Sequence, residues 1–290
     1  MARPTLSLVL PVFNEEEVIP ELHEQLQSFL KELDVAGSAA GGTARSAMGD
    51  TLLQHGNTMH GLQLARDPHE PTLYYSREGP IGDVIGLLSP RLRRVAVIGL
   101  GTGTLATYAR PGQHWRFFEL DPAVVRIARD PRYFTFLSDA FGNRSDVVVG
   151  DARIEIAKDE GGYDLLVVDA FSSDAIPTHL LTREALATYR GKLAKGAVIA
   201  WHVTNRYLDL KPVLASLADD ARLALLSRDD GDLGKERVSR GHSPSLWIVM
   251  AELGSSELAD LRARGWTDVA RRPGFRCWTD ERASIVTVWR

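Results

Sequence analysis

"VAVIGLGTGTLA", residues 95–106, decides the fold of this chain. An apolar run fit for a buried strand is followed at once by Gly99, Gly101 and Gly103, in a turn that opens toward a helix. Glycine lets a backbone take positive φ and approach a ligand closely, and the free amides of a helix start favour polar or anionic groups. Such a turn alone is common. What surrounds it makes it specific.

Around this stretch, apolar runs and helical patterns alternate. "RRVAVIG", "WRFFEL", "DVVVG", "YDLLVVDA" and "GAVIAWHV" read as strands, with helix candidates near 103–110, 122–130, 152–159, 181–193 and 209–219. That alternation predicts a parallel sheet covered by helices on both faces. "ARLALLS" and "SLWIVMAE", joined by a long polar loop, are expected to pair antiparallel as the last strands. The tail "FRCWTDERASIVTVWR" is expected to close an edge. Before the sheet, "TLLQHGNTMHGLQL" and "PTLYYSREG" read as short strands of a small antiparallel piece.

In an open α/β sheet, ligands bind beyond the carboxyl ends of the strands. The second strand ends at Glu119, sixteen residues after Gly103, where an acid can accept hydrogen bonds from both hydroxyls of a ribose. The third ends at Asp151 and Ala152. Asp151 suits an adenine amino group or the cap of the following helix, and the two roles are compatible. The fourth ends in "DAFSSDAIP", with Asp169 and Asp174 in one loop. A dinucleotide fold expects G-x-G-x-x-G/A, but position 104 is Thr. The spacing instead matches S-adenosylmethionine-type enzymes, so the expected fold is α/β, a Rossmann-like parallel sheet of that type with antiparallel last strands and a small N-terminal β piece.

Composition excludes several other classes. A 44% hydrophobic content over 290 residues supports globular α/β structure, and a net charge of -4 argues against a general polyanion binder; no nucleic-acid partner is expected. No apolar run reaches the about 18 to 20 residues that span a bilayer, and no signal peptide is read, so a soluble, cytoplasmic protein without membrane insertion is expected. The single cysteine, Cys277, rules out an intramolecular disulfide and a thiolate cluster, and is read as non-catalytic. His55, His60, His179 and His202 lack metal-ligand spacing, so no metal is expected. His60 and His202 could stand in the cleft, but a hydrogen-bonded structural role is the better reading of each.

Four regions follow: 1–34, a linker at 35–50, a small β-strand region at 51–90 and the adenosyl-cofactor domain at 91–290. The stretch "LSLVLPVFNEEEVIPEL", residues 6–22, resembles the start of a family-2 glycosyltransferase. Residues 35–50 are rich in Gly, Ala and Ser. No nucleotide-sugar site fits in the first 34 residues, and no sugar transfer is expected.

From about Thr51 onward the chain resembles spermidine synthases (polyamine aminopropyltransferases), on "GLGTGTLA", "FFELDPAVVRIARD", "VVGDAR" and "YDLLVVDAFSSDAIPTHLLTREAL". "QHGNTMHGLQ", "YYSREGPIG" and "CWTDERASI" match the bacterial subgroup. The resemblance implies transfer of an aminopropyl group from decarboxylated S-adenosylmethionine to a small-molecule amine. Gly99, Gly101, Thr102, Gly103, Glu119, Asp151 and Ala152 would hold the cofactor, Asp169 and Asp174 would act in catalysis, and Tyr75 and Gln63 would contact substrate. It also implies a homodimer. The family carries G-G-G-D-G-G, and its Asp is replaced here by Thr102; the D-S-S-D loop gains Ala170 and Phe171. Adenosine binding is therefore expected, but not putrescine specificity. The alternatives are an S-adenosylmethionine-dependent methyltransferase and a non-catalytic adenosyl-binding module.

Overall fold

The structure is a computed structural model and describes residues 34–36, 42–45, 49–55, 58–170, 177–205 and 207–290. The glycosyltransferase-like stretch and Asp174 lie outside the described residues.

Two sheets are present among them. The smaller is antiparallel, in the order β1 (Asp34–Ala36), β2 (Gly42–Arg45), β3 (Thr51–His55), β4 (Thr58–Gln63). The larger contains β5 (Arg94–Ile98), β6 (His114–Glu119), β7 (Asp146–Val149), β8 (Tyr163–Val168), β9 (Leu193–His202), β10 (Leu223–Asp229), β11 (Leu246–Glu252) and β12 (Thr267–Asp268). Its order is β12-β10-β11-β9-β8-β5-β6-β7. Strands β5 to β9 are parallel, while β11 runs antiparallel between β9 and β10, as the sequence predicts. The helices are α1 (Pro80–Leu88), α2 (Pro122–Arg129), α3 (Phe136–Phe141), α4 (Ala152–Lys158), α5 (Arg183–Arg190), α6 (Lys211–Ala221), α7 (Gly234–Ser239) and α8 (Ser256–Ala263).

The unbroken apolar runs have a direct cause: alternate residues of each central strand enter opposite cores. Ala96, Ile98, Leu166, Val168, Ile199 and Trp201 pack with α4, α5 and α6 on one face. Val95, Val97, Leu165, Val167, Val198 and Ala200 pack with α1, α2 and α8 on the other. The chain winds from β5 through β6 to β7 in one direction and from β8 to β9 in the other. The reversal between β5 and β8 is where such a sheet opens a ligand crevice.

Side-chain caps start the helices that line this crevice. Asp121 accepts from the Ala123 amide at 2.7 Å, with Pro122 at the first helical position of α2. Asp151 accepts from Ile154 N at 3.1 Å at the start of α4, and Thr182 from Ala185 N at 3.2 Å at the start of α5.

Four expectations need correction. "PTLYYSREG" is not a strand: its backbone turns repeatedly, and buried Leu73 takes the left-handed region at φ 52°. Leu73 instead bridges to the 240s, its amide donating to Gly241 O at 2.7 Å. The 51–90 region is not all β either, since α1 occupies its last part. The C-terminal tail does not add the edge strand. That role falls to β12, while the tail ends in a short 3-10 helix and bridges Leu208 through Trp289. Within the expected 35–50 linker, Gly42–Arg45 pairs with β3, because main-chain pairing needs no large side chains.

Candidate functional site

The carboxyl ends of β5, β6, β7, β8 and β9 bring the candidate groups to one rim. At the end of β5, Gly99, Gly101 and Gly103 all have positive φ, at 98°, 54° and 85°. A Cβ added to Gly99 would stand 2.3 Å from Asp169 O, and one on Gly101 would stand 2.5 Å from His60 O. The glycines thus let the turn press against the end of β8 and against β4, a demand the fold itself makes.

Thr102 does not face open space. It is fully buried, its hydroxyl lies 2.9 Å from Thr104 Oγ1, and a Cβ on Gly61 of β4 would fall 1.9 Å from Thr102 Oγ1. Gln63 is likewise committed inside the protein. Its side-chain amide donates to Pro68 O at 2.8 Å and Thr135 Oγ1 at 2.9 Å, and its oxygen accepts from Thr135 N at 3.0 Å. It fastens β4 to the segment before α3.

Glu119 closes β6. Its carboxylate accepts from the Leu100 amide at 3.0 Å and the Asp121 amide at 2.9 Å, and so ties the glycine turn to the start of α2. Each carboxylate oxygen has a further lone pair for a ligand hydroxyl. Asp151, besides capping α4, lies 2.9 Å from His179 Nε2, and Ala152 is the first residue of that helix. Large apolar side chains stand exposed nearby: Leu120 at 69%, Val149 at 49% and Ile154 at 56%. A flat aromatic base with polar edges suits such a margin, where apolar faces adjoin the Asp151 carboxylate. The residues present therefore fit an adenosyl group.

Asp169 closes β8, with its side chain 7% exposed. The Tyr75 hydroxyl donates to its Oδ2 at 2.7 Å, and His202 Nδ1 lies 2.7 Å from its Oδ1. Burial, then the charge of Asp169, holds the Tyr75 phenol well above its ordinary pKa, so Tyr75 remains a donor. His202 ends β9 and is stacked on Trp247 at 4.6 Å between ring centres and 12° between planes. Tyr74 packs on the same ring at 4.8 Å, and its hydroxyl donates to Met59 O. The structure thus brings Tyr75 and Asp169 together with a histidine that the sequence reading leaves to a structural role. The signal was present: "GAVIAWHV" carries His202 next to its end, at a strand's carboxyl end like Glu119 and Asp169.

Cys277 lies away from this rim, in a groove of about 380 Å³ between α5, α6 and the tail. Burial, then the nearby Asp220, pushes its thiol pKa up, which disfavours the reactive thiolate.

The sheet order, the antiparallel β11 and the acids at the strand ends define the class: a Rossmann-like fold of the kind shared by spermidine synthases and S-adenosylmethionine-dependent methyltransferases. The chain is 33% identical over 141 residues to the polyamine aminopropyltransferase of Vibrio vulnificus (strain CMCP6), covering 46% of this chain and 45% of that protein. The match therefore spans about half the length of that curated relative. Among solved structures, a probable spermidine synthase from Corynebacterium glutamicum superposes with a TM-score of 0.63 at 15% identity, covering 84% of this chain and 94% of that one. The spermidine synthase of Thermotoga maritima is also similar, with a TM-score of 0.48 at 14% identity over 89% of this chain and 84% of that one. No protein-family model matches the chain. Among the described residues, no helix is long and apolar enough to cross a membrane.

Proposed function

We propose that the chain is a transferase of the spermidine synthase type, which moves an aminopropyl group from decarboxylated S-adenosylmethionine to a small amine. One observation carries this reading. Asp169, buried at the reversal of the sheet, lies against the glycine turn with a phenol on one oxygen and an imidazole on the other. The curated relative's name supports the same reaction class.

Glu119 would hold the ribose hydroxyls, and Asp151 the adenine edge against the exposed apolar margin. The sulfonium supplies the chemistry when bound: it makes the adjacent aminopropyl carbon electrophilic. The acceptor nitrogen forms a bond to that carbon, the carbon–sulfur bond breaks, and methylthioadenosine leaves with the electron pair. The amine attacks only when unprotonated, so its proton must be taken up, and Asp169 is the carboxylate stationed to accept it or to orient the amine. Holding amine and carbon in line supplies much of the remaining acceleration. Asp174 would be the second acid of this loop.

Incubation with decarboxylated S-adenosylmethionine and a pool of linear amines should release methylthioadenosine, seen by mass spectrometry. Asp169→Asn should lower that release at least ~100-fold, as loss of a positioned proton acceptor does. Retained turnover in Asp169→Asn would remove Asp169 from the chemistry. Binding of adenosyl ligands without any such product would favour methyl transfer or a non-catalytic role.

A further inference from the structure

We propose that His202 is a positioning residue for this reaction: as the neutral Nδ1–H tautomer it donates to Asp169 and, opposite Tyr75, fixes the direction of that carboxylate. The proposal rests on the reading of Asp169 given above and extends it to β9 and β11.

The tautomer follows from a chain of donors. The Leu246 amide can only donate, and it lies 2.8 Å from Thr204 Oγ1, which therefore accepts. The Thr204 hydroxyl keeps its own proton free to turn toward His202 Nε2, 2.7 Å away, and does so when Nδ1 carries the proton of a neutral ring, as the acceptor-only Asp169 carboxylate requires. With Nε2 accepting, a neutral ring carries its proton on Nδ1, which donates to Asp169 Oδ1 at 2.7 Å. The line runs from the β11 backbone through a hydroxyl and a ring to the carboxylate.

Packing keeps the ring in this plane. His202 and Trp247 are directly opposed across the antiparallel β9–β11 pair, and their rings stack. The His202 side chain is 3% exposed, with Tyr74 packed on it as well. A ring held this way does not reach substrate. It acts through Asp169, whose two oxygens receive one donor from His202 and one from Tyr75, so the carboxylate cannot rotate without losing both hydrogen bonds.

The test uses two variants and one spectrum. His202→Asn keeps a donor near the position of Nδ1, whereas His202→Phe keeps a flat ring and no donor. Both should bind methylthioadenosine as the parent chain does, which controls for folding. The Phe variant should lose ~100-fold in kcat with KM within about threefold, and the Asn variant should recover at least ~10-fold of that loss. Equal impairment of the two, or an unimpaired Phe variant, would overturn the proposal. Long-range nitrogen–proton NMR of the parent chain should show the ring proton on Nδ1, and a proton on Nε2 alone would equally overturn it. If the parent chain transfers no aminopropyl group, the functional reading fails, while the spectrum still decides the hydrogen-bond chain.

Discussion

At the scale of single residues, Thr102 has the sharpest consequence. The resemblance to spermidine synthases puts an acid at this position, yet here the Thr102 side chain is fully buried against Gly61. Writing the acid back by Thr102→Asp should therefore not improve aminopropyl transfer. It should lower the melting temperature, because a longer, charged group would enter a buried site built for a short hydroxyl. A variant that gained turnover without losing stability would show that Thr102 reaches the cleft. The same contact read from the other side makes Gly61→Ala costly. Its new Cβ would meet Thr102 Oγ1 at 1.9 Å, and a short β-branched neighbour cannot swing away. Overpacking of this kind destabilises by about 1–3 kcal/mol, measurable by denaturant unfolding.

At the scale of elements, the tail is fastened to the helices behind the site rather than to the sheet. Asp280 receives Arg153 of α4 at 2.6 Å and Thr182, the cap of α5, at 2.7 Å, while its own amide donates to Glu184 at 3.0 Å. Arg153, then Thr182, holds the Asp280 carboxyl down at about 2, against an ordinary 3.8. A depressed carboxyl contributes stability that is present above its unfolded pKa and is lost as pH falls through its folded one. The gap in melting temperature between the parent chain and Asp280→Asn should thus be full at pH 5 and narrow toward pH 2. The group is partly exposed, so the gap should be modest and should shrink with added salt. A gap that is constant across this range would mean that the ion pair contributes nothing.

The whole molecule should respond to its ligand. Glu119, Asp151 and the glycine turn come from three strands that meet only in the folded sheet, so on the proposed function an adenosyl ligand would bind the native state and not the unfolded chain. Methylthioadenosine at about 100 times its Kd should raise unfolding free energy by ~2.7 kcal/mol, seen as a higher melting temperature. Asp151→Ala should lose most of that increase, beyond the ~1 kcal/mol expected for removing the cap of α4. An unchanged ligand-induced shift would take Asp151 out of the adenosyl site.

The strands β5 to β11, the helices that follow the parallel strands and the acids at the strand ends were legible in the sequence. Their signals are local: apolar runs, a cap such as Asp151, and glycines after a strand. The course of Tyr74 and Tyr75 was not legible, because Leu73 takes a left-handed turn that exists only when the 240s loop receives its amide. The role of His202 was hidden for a related reason. As a residue it is a polar stop at the end of β9, and its partners Asp169 and Trp247 lie 33 and 45 positions away in the chain. Local chain chemistry therefore determined which segments are strands and which groups stand at their ends. Only the pairing of distant strands decided which of those groups touch, since contact across a sheet depends on strand order and register, and neither is written in any one segment.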